Sequence, residues 1–231
     1  MSEANPAVQP ADTSPFAALS GDYGLLETTD DPQTLRQILR RSLLWSACGA
    51  AIFGIALGSY AFSPAQIVAS AIKLPLLLLG ATALCFPAFF VLQSLLTRRP
   101  ISLLKAAALQ STALTAIALI WASFSLPLFF LVATTHHYRL AKLLALVVGT
   151  AGGLVGFGRL RKNMIALCDA DSAKRLRKPL LLYTLLYGVV GAQLAWVLRP
   201  FVGSPSLGFQ LFRGQGGNIF VHTLRMLGLG G

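Results

Sequence analysis

The sequence predicts an all-α integral membrane bundle of five transmembrane helices, with interfacial helices at both ends. Three observations carry this expectation. Five apolar stretches, each near the roughly 20 residues needed to cross about 30 Å of hydrocarbon, contain no Asp or Glu. The links between them are short and rich in Lys and Arg. Only 12% of the 231 residues are charged, about half the share of a soluble domain. One such helix could be the core of a large soluble protein, but five in succession leave no soluble domain able to bury them.

Charge divides along the chain. Residues 1–35 hold Glu3, Asp12, Asp22, Glu27, Asp30 and Asp31 and no Lys or Arg. The remainder holds 19 basic residues and two acids, Asp169 and Asp171, for a charge of +17. In a soluble chain that excess would suggest nucleic acid. In a membrane protein it reads as topology, because Lys and Arg accumulate in cytoplasmic loops; no nucleic-acid partner is expected. Cys48, Cys85 and Cys168 share no ligand spacing, and Cys48 and Cys85 fall in apolar spans, where the thiol behaves as a small hydrophobe. The first apolar run begins near Ser42, so no N-terminal signal peptide is expected, and span 1 acts as an uncleaved signal-anchor.

Residues 1–31 are rich in Ala, Pro, Ser, Thr, Asp and Glu. They cannot bury enough surface to offset ordering entropy, which predicts a disordered acidic cytoplasmic tail. The transmembrane domain is then 32–198. Asp31-Pro32 is a helix start, with Asp as N-cap and Pro in the first turn. Leu35, Ile38, Leu39 and Leu43 recur at helical spacing with Arg36, Arg40 and Arg41 on other faces, as in an interfacial helix. This helix runs into span 1, about 42–62, where Gly54 and Gly58 form a GxxxG packing pair. Span 2 covers about 74–96, with Lys73-Leu74-Pro75 at its entrance. Pro87 near its middle is expected to kink it.

Span 3 begins near Leu103 and can cross by Trp121. Residues 123–135 continue past Pro127, a second expected bend, but are too few to cross again. They form either a bent extension of span 3 or a re-entrant segment. Span 4, about 140–157, holds Gly149, Gly152, Gly153, Gly156 and Gly158. Its overlapping GxxxG registers predict the most closely packed helix of the bundle, with Gly149, Gly153 and Gly156 at helix contacts. Span 5 is about 179–198, with Gln193 and Trp196 near its outer end. Residues 199–231 form an extracytoplasmic Gly- and Phe-rich segment. Within it Asn218 could cap a short interfacial helix through Leu227. With five spans, 13 Lys and Arg fall on one side and 6 on the other. This places the N-terminus in the cytoplasm and the C-terminus in the periplasm of a bacterial inner membrane.

Candidate sites follow from the polar residues left over. The link 159–178 carries Arg159, Arg161, Lys162, Lys174, Arg175, Arg177 and Lys178. Such a cluster attracts anionic lipid headgroups or the acidic tail, although the same charges also serve topology alone. Asp169 and Asp171 lack the further oxygen ligands of a metal site. His136-His137 would point about 100° apart on a helix, and with Arg139 lies at the level where amphipathic residues mark the interface. No metal and no cofactor are expected. Gln93, Gln110, Ser111, Thr112, Thr115 and Gln193 are the polar groups of the spans. Interhelical hydrogen bonding is their ordinary use, and Gln110, Thr115 and Gln193 are the residues that would line a polar path. No nucleophile–base pair, phosphate loop or HExxH motif is present, so no catalytic activity is expected.

Lys73-Leu74-Pro75, Cys85-Phe86-Pro87, Pro127-Leu128-Phe129-Phe130, Gly191-Ala192-Gln193-Leu194-Ala195-Trp196 and Leu198-Arg199-Pro200-Phe201-Val202-Gly203-Ser204-Pro205 occur in series. They are followed by Phe209, Phe212-Arg213 and Gly217-Asn218. Together they resemble an uncharacterised family of small bacterial polytopic inner-membrane proteins. The five-span layout is also similar to that of the Yip family of membrane-trafficking proteins. Neither resemblance implies catalytic residues. The expectation is a scaffold, or a component that binds anionic lipid, a membrane-protein partner or a second copy of itself. The alternative is a channel or carrier for a small neutral solute.

Overall fold

The computed structural model of the chain describes residues 29–61, 63–96, 101–135, 138–168, 170–202 and 211–212. Among these residues the protein is helical, with no strand. The helices are α1 (Pro32–Gly58), followed by a 3-10 turn (Ser59–Ala61), α2 (Pro64–Leu96), α3 (Leu103–Ser123), α4 (Ser125–Thr135), α5 (Tyr138–Ala166) and α6 (Ala170–Leu198). Among the described residues five stretches are long and apolar enough to cross a membrane: Pro32–Gly58, Pro64–Leu96, Leu103–Thr135, Leu140–Ala166 and Asp171–Leu198. Residues 1–28, the His136-His137 pair, Asp169 and the expected interfacial helix at 218–227 lie outside the described residues.

Each boundary has a local cause. Asp31 caps α1: its carboxylate accepts from the Thr34 amide at 2.8 Å and from the Thr34 hydroxyl at 2.6 Å. Pro32 occupies the first turn, where a missing N–H costs nothing. From there one face, Leu35, Ser42, Ser46, Gly49, Phe53 and Leu57, is buried, so the interfacial segment and span 1 are a single helix. α2 begins at Pro64, ten residues before the expected start of span 2. Lys73-Leu74-Pro75 is therefore inside the helix and not at its entrance. Both Pro75 and Pro87 are contained in this one continuous helix.

The fate of residues 123–135 is settled by one residue. Pro127 has no N–H to give the Ser123 carbonyl, and the regular helix is interrupted at Phe124. Its backbone stays right-handed helical at φ −84°, ψ −2°, so the chain does not turn back. Phe124 N–H bonds the Ile120 carbonyl at 3.2 Å, and Leu128 N–H bonds the Phe124 carbonyl at 3.0 Å. α4 is thus an extension of span 3, packed on α1, the Ser59–Ala61 turn and α5.

The stretch expected as a link at 159–178 needs correction. Arg159, Arg161 and Lys162 belong to the last turns of α5, and Lys174, Arg175, Arg177 and Lys178 to the first turns of α6. Lys and Arg are good helix formers, so nothing stops α5 until the turn near Cys168. There the Leu167 and Cys168 amides bond the Asn163 and Ile165 carbonyls, both at 3.2 Å.

α3 is the central helix, buried on all sides from Ala108 to Ala118. α1 and α5 pack on it, α2 packs on α1 and α6, and α5 meets α6. The helix expected to be most closely packed was α5; instead it is α3, with 14 of its 21 residues buried. Large apolar side chains such as Leu84, Leu95, Leu126, Phe130, Leu146, Leu154 and Leu182 point outward, while Ser46, Gln93, Gln110 and Thr115 are buried. That inversion is what a helical bundle in lipid requires, because tails solvate leucine as well as a core does.

The glycines divide. A Cβ at Gly54 would lie 2.4 Å from the Ser70 carbonyl oxygen of α2, and one at Gly58 would lie 2.8 Å from the Ile67 Cα. At Gly156 it would lie 2.3 Å from Ile117 Cγ1 and 2.8 Å from the Ala113 carbonyl oxygen of α3. Gly149 and Gly153 have nothing within 4 Å, so their assignment to helix packing is corrected. Four residues advance a helix 400°, which keeps a GxxxG pair on one face; the face that meets α3 is that of Gly152 and Gly156.

Candidate functional site

Polar side chains inside the bundle fall into three groups. The first is the seam between the parallel helices α1 and α3. Ser46 Oγ donates to the Ser42 carbonyl at 2.7 Å and lies 3.3 Å from Thr115 Oγ1. Thr115 Oγ1 is within bonding distance of the Ser42 carbonyl across the seam (3.1 Å) and of its own Ser111 carbonyl (3.2 Å). Gly49 lets these backbones approach, since a Cβ there would sit 2.7 Å from the Ala118 carbonyl oxygen.

The second group fills the middle. Gln110 Nε2 donates to the Tyr183 hydroxyl at 2.6 Å, joining α3 to α6. Tyr187 donates to the Leu78 carbonyl at 3.1 Å and lies 3.0 Å from Thr82 Oγ1, joining α6 to α2. Phe89 and Phe157 pack on the Tyr183 ring at centroid distances of 5.3 and 6.0 Å, and Phe157 meets Tyr187 at 4.5 Å. The two tyrosines are spaced four apart on one face of α6, a pattern visible in the sequence but not singled out there.

Of the residues expected along a polar path, Thr115 is committed to the α1–α3 seam and Gln110 to Tyr183. Gln193 sits ten residues beyond Tyr183, about 15 Å along the helix. No hydrogen bond links the three, so the structure does not bring them into one chain. The side-chain oxygens of Gln110 and Gln193 are buried and accept no protein hydrogen bond among the described residues.

The third group was missed in the sequence. Gln66, Ser70 and Lys73 form a stripe on α2 at the end of the bundle away from the start of α1. Ser70 Oγ donates to the Phe201 carbonyl at 2.6 Å. Gln66 Nε2 reaches the Pro200 and Phe201 carbonyls, both at 3.3 Å. Lys73 Nζ donates to the Pro200 carbonyl at 3.2 Å and also to that of Leu211, and stands 5.1 Å from the Phe212 ring centroid. Lys73 is only 3% exposed. Beside this clasp the Arg199 guanidinium stacks 3.5 Å from the Trp196 ring centroid. The helical spacing of Gln66, Ser70 and Lys73 was legible, but span 2 was expected to begin after them. Lys73-Leu74-Pro75 and Leu198-Arg199-Pro200-Phe201 are thus neighbours.

The opposite end is basic. Arg36, Arg40 and Arg41 on α1, Arg161 and Lys162 on α5, and Lys174, Arg175, Arg177 and Lys178 on α6 are all exposed, and Arg159 is half-buried. Lys105 in the first turn of α3 is buried and pairs with Asp30 Oδ1 at 2.9 Å. Gln93 ties the end of α2 to the start of α3 by donating to the Ile101 carbonyl and accepting from its amide, both at 3.3 Å. The fully exposed Asp31 carboxyl is held below its ordinary range, chiefly by the Thr34 hydroxyl and then by the Thr34 amide. Among the described residues no three His, Cys, Asp or Glu side chains gather as metal ligands would.

Five apolar helices with lipid-type exposure and a basic rim define a multi-pass α-helical membrane protein. No family model, no curated protein and no solved structure matches this chain.

Proposed function

We propose that the protein is a non-catalytic component of the bacterial inner membrane whose basic end binds anionic lipid headgroups, with the N-terminus cytoplasmic and the C-terminus periplasmic. The observation that carries this reading is the rim of cations on the projecting ends of α5 and α6, joined at the same end by the exposed arginines of α1. Helices that continue past the apolar span hold these charges at headgroup level, where each contributes on the order of 1 kcal/mol toward an anionic surface. The interior polar groups support a packing role, since Thr115, Ser46, Gln110, Tyr183 and Tyr187 bond other helices of the same chain.

The test is lipid enrichment in nanodiscs of mixed phosphatidylglycerol and phosphatidylcholine. The wild type should enrich phosphatidylglycerol, and Lys174→Gln, Arg175→Gln, Arg177→Gln and Lys178→Gln together should reduce that enrichment at least tenfold. Equal enrichment in both proteins would sink the lipid reading. Reporter fusions at Met1 and Gly231 should answer from opposite faces.

A further inference from the structure

We infer that the acidic N-terminal segment is the intramolecular occupant of the basic end, competing with lipid anions for the α5 and α6 cations. This regulation rests on the reading of that end as an anion-binding surface. The chain shows where the segment starts. Asp31 fixes the first turn of α1, and Asp30, immediately before it, points not to solvent alone but onto Lys105 of α3 at 2.9 Å. The Lys105 side chain is 7% exposed while that of Asp30 is 87% exposed, so an acid directly before the α1 cap already sits on a cation at the rim of α3. The antiparallel register that sets Ala113 against Gly156 then puts Lys105 level with Met164, just beyond Arg161 and Lys162 of α5. Asp30 therefore stands beside the basic end.

Charge and length fit that occupant. Residues 1–31 carry six acids and no Lys or Arg, so no part of the segment repels the rim. Twenty-eight residues of chain are long enough to cover about 30 Å, and helices packed roughly 10 Å apart give the bundle a similar width. Tethering holds the carboxylates near the cations at an effective concentration of about a millimolar. A single exposed pair contributes little, so the docking depends on many charges together and weakens as salt shortens the screening length below about 8 Å.

The experiment uses the full chain in nanodiscs, with Cys48→Ser, Cys85→Ala and Cys168→Ser to free the labelling chemistry. Spin labels at Thr13→Cys and Ala166→Cys report the distance from the segment to the end of α5. A second protein adds Glu3→Gln, Asp12→Asn, Asp22→Asn and Glu27→Gln, all before the start of α1. The expected result is a short distance population at 50 mM NaCl that is lost at 500 mM and in the neutralised protein. Phosphatidylglycerol enrichment should then rise several-fold on neutralisation. Distances indifferent to both salt and neutralisation would overturn the docking, even where lipid enrichment persists. Distances that respond while neither protein enriches phosphatidylglycerol would support the docking and remove the lipid reading instead.

Discussion

The two sides of the bundle are held together by different means. On the α1–α2–α3 side, Gly49, Gly54 and Gly58 bring backbone against backbone, and the Ser46–Thr115 seam crosses where the helices touch. On the α5–α6 side, Gly149, Gly153, Gly188 and Gly191 face open space, and the contact is made by Phe157 against Tyr183 and Tyr187. Glycine is abundant on both sides, so its presence does not distinguish them. What distinguishes them is whether a neighbouring main chain lies within reach of the missing Cβ.

The largest expected effect tests that statement directly. Gly54→Leu drives a side chain into the Ser70 carbonyl and the Ala71 Cα, at 2.4 and 2.9 Å from its Cβ. Main-chain atoms cannot step aside as a side-chain tip can, so α1 and α2 must separate, at a cost of about 3 kcal/mol or more. Gly156→Leu should be comparably damaging. Gly153→Leu, three residues earlier on α5, should shift stability by less than about 0.5 kcal/mol, as an isolated surface change does. Equal losses for Gly153→Leu and Gly54→Leu in detergent unfolding would erase the difference between the two sides.

The five spans were readable because lipid imposes a coarse rule: about 20 residues without a carboxylate. Helix ends beyond the lipid obey no such rule. Pro64 opens α2 well before the apolar run, and α5 and α6 continue through Arg159–Lys162 and Lys174–Lys178, because capping and propensity, not hydropathy, decide where they stop. The glycine registers were legible as spacing but not as contacts, since only the approach of α3 selects Gly152 and Gly156 over Gly149 and Gly153. Lys73 is the clearest miss. Its partners, the Pro200 and Leu211 carbonyls, lie more than a hundred residues away, and nothing local to Lys73 announces them.

Tyr183→Phe comes next in size. It removes the acceptor of Gln110 Nε2 in the middle of the bundle, where Gln110 is 1% exposed. Leaving that amide unpaired should cost about 1–2 kcal/mol, and the ring packing of Phe89 and Phe157 should survive. Adding Gln110→Leu should recover part of the loss, because removing both partners is milder than orphaning one. Strictly additive losses would mean that the Gln110–Tyr183 bond does not couple α3 to α6.

Lys73→Met should cost less, about 1 kcal/mol, because two effects oppose each other. Bonds from a charged donor to the Pro200 and Leu211 carbonyls are lost, but a desolvated ammonium is removed at the same time. The informative readout is local: Phe212→Cys should label faster in the Lys73→Met background, with little change at Ala166→Cys. Labelling that rises at both positions would show that the clasp braces the whole α5–α6 side and not only the chain after α6.

The smallest effect is confined to the first turn of α1. Asp31 is held ionised by Thr34, so its folded-state pKa lies below the unfolded value of about 3.9. A depressed carboxyl pKa contributes stability that is fully present above the unfolded value and fades as pH falls through the folded one. Amide exchange at Thr34 and Leu35, measured against the intrinsic rate at each pH, should therefore be protected at neutral pH and lose protection only in strong acid. Asp31→Ala should remove that protection at every pH. Because the Asp31 carboxylate bonds only Gln33 and Thr34 of its own turn among the described residues, exchange along the Ser42–Phe53 face, where Gly49 and Ser46 lock α1 to α3, should not respond. A response there would mean that the closely packed side is held from its frayed end and not by its glycines.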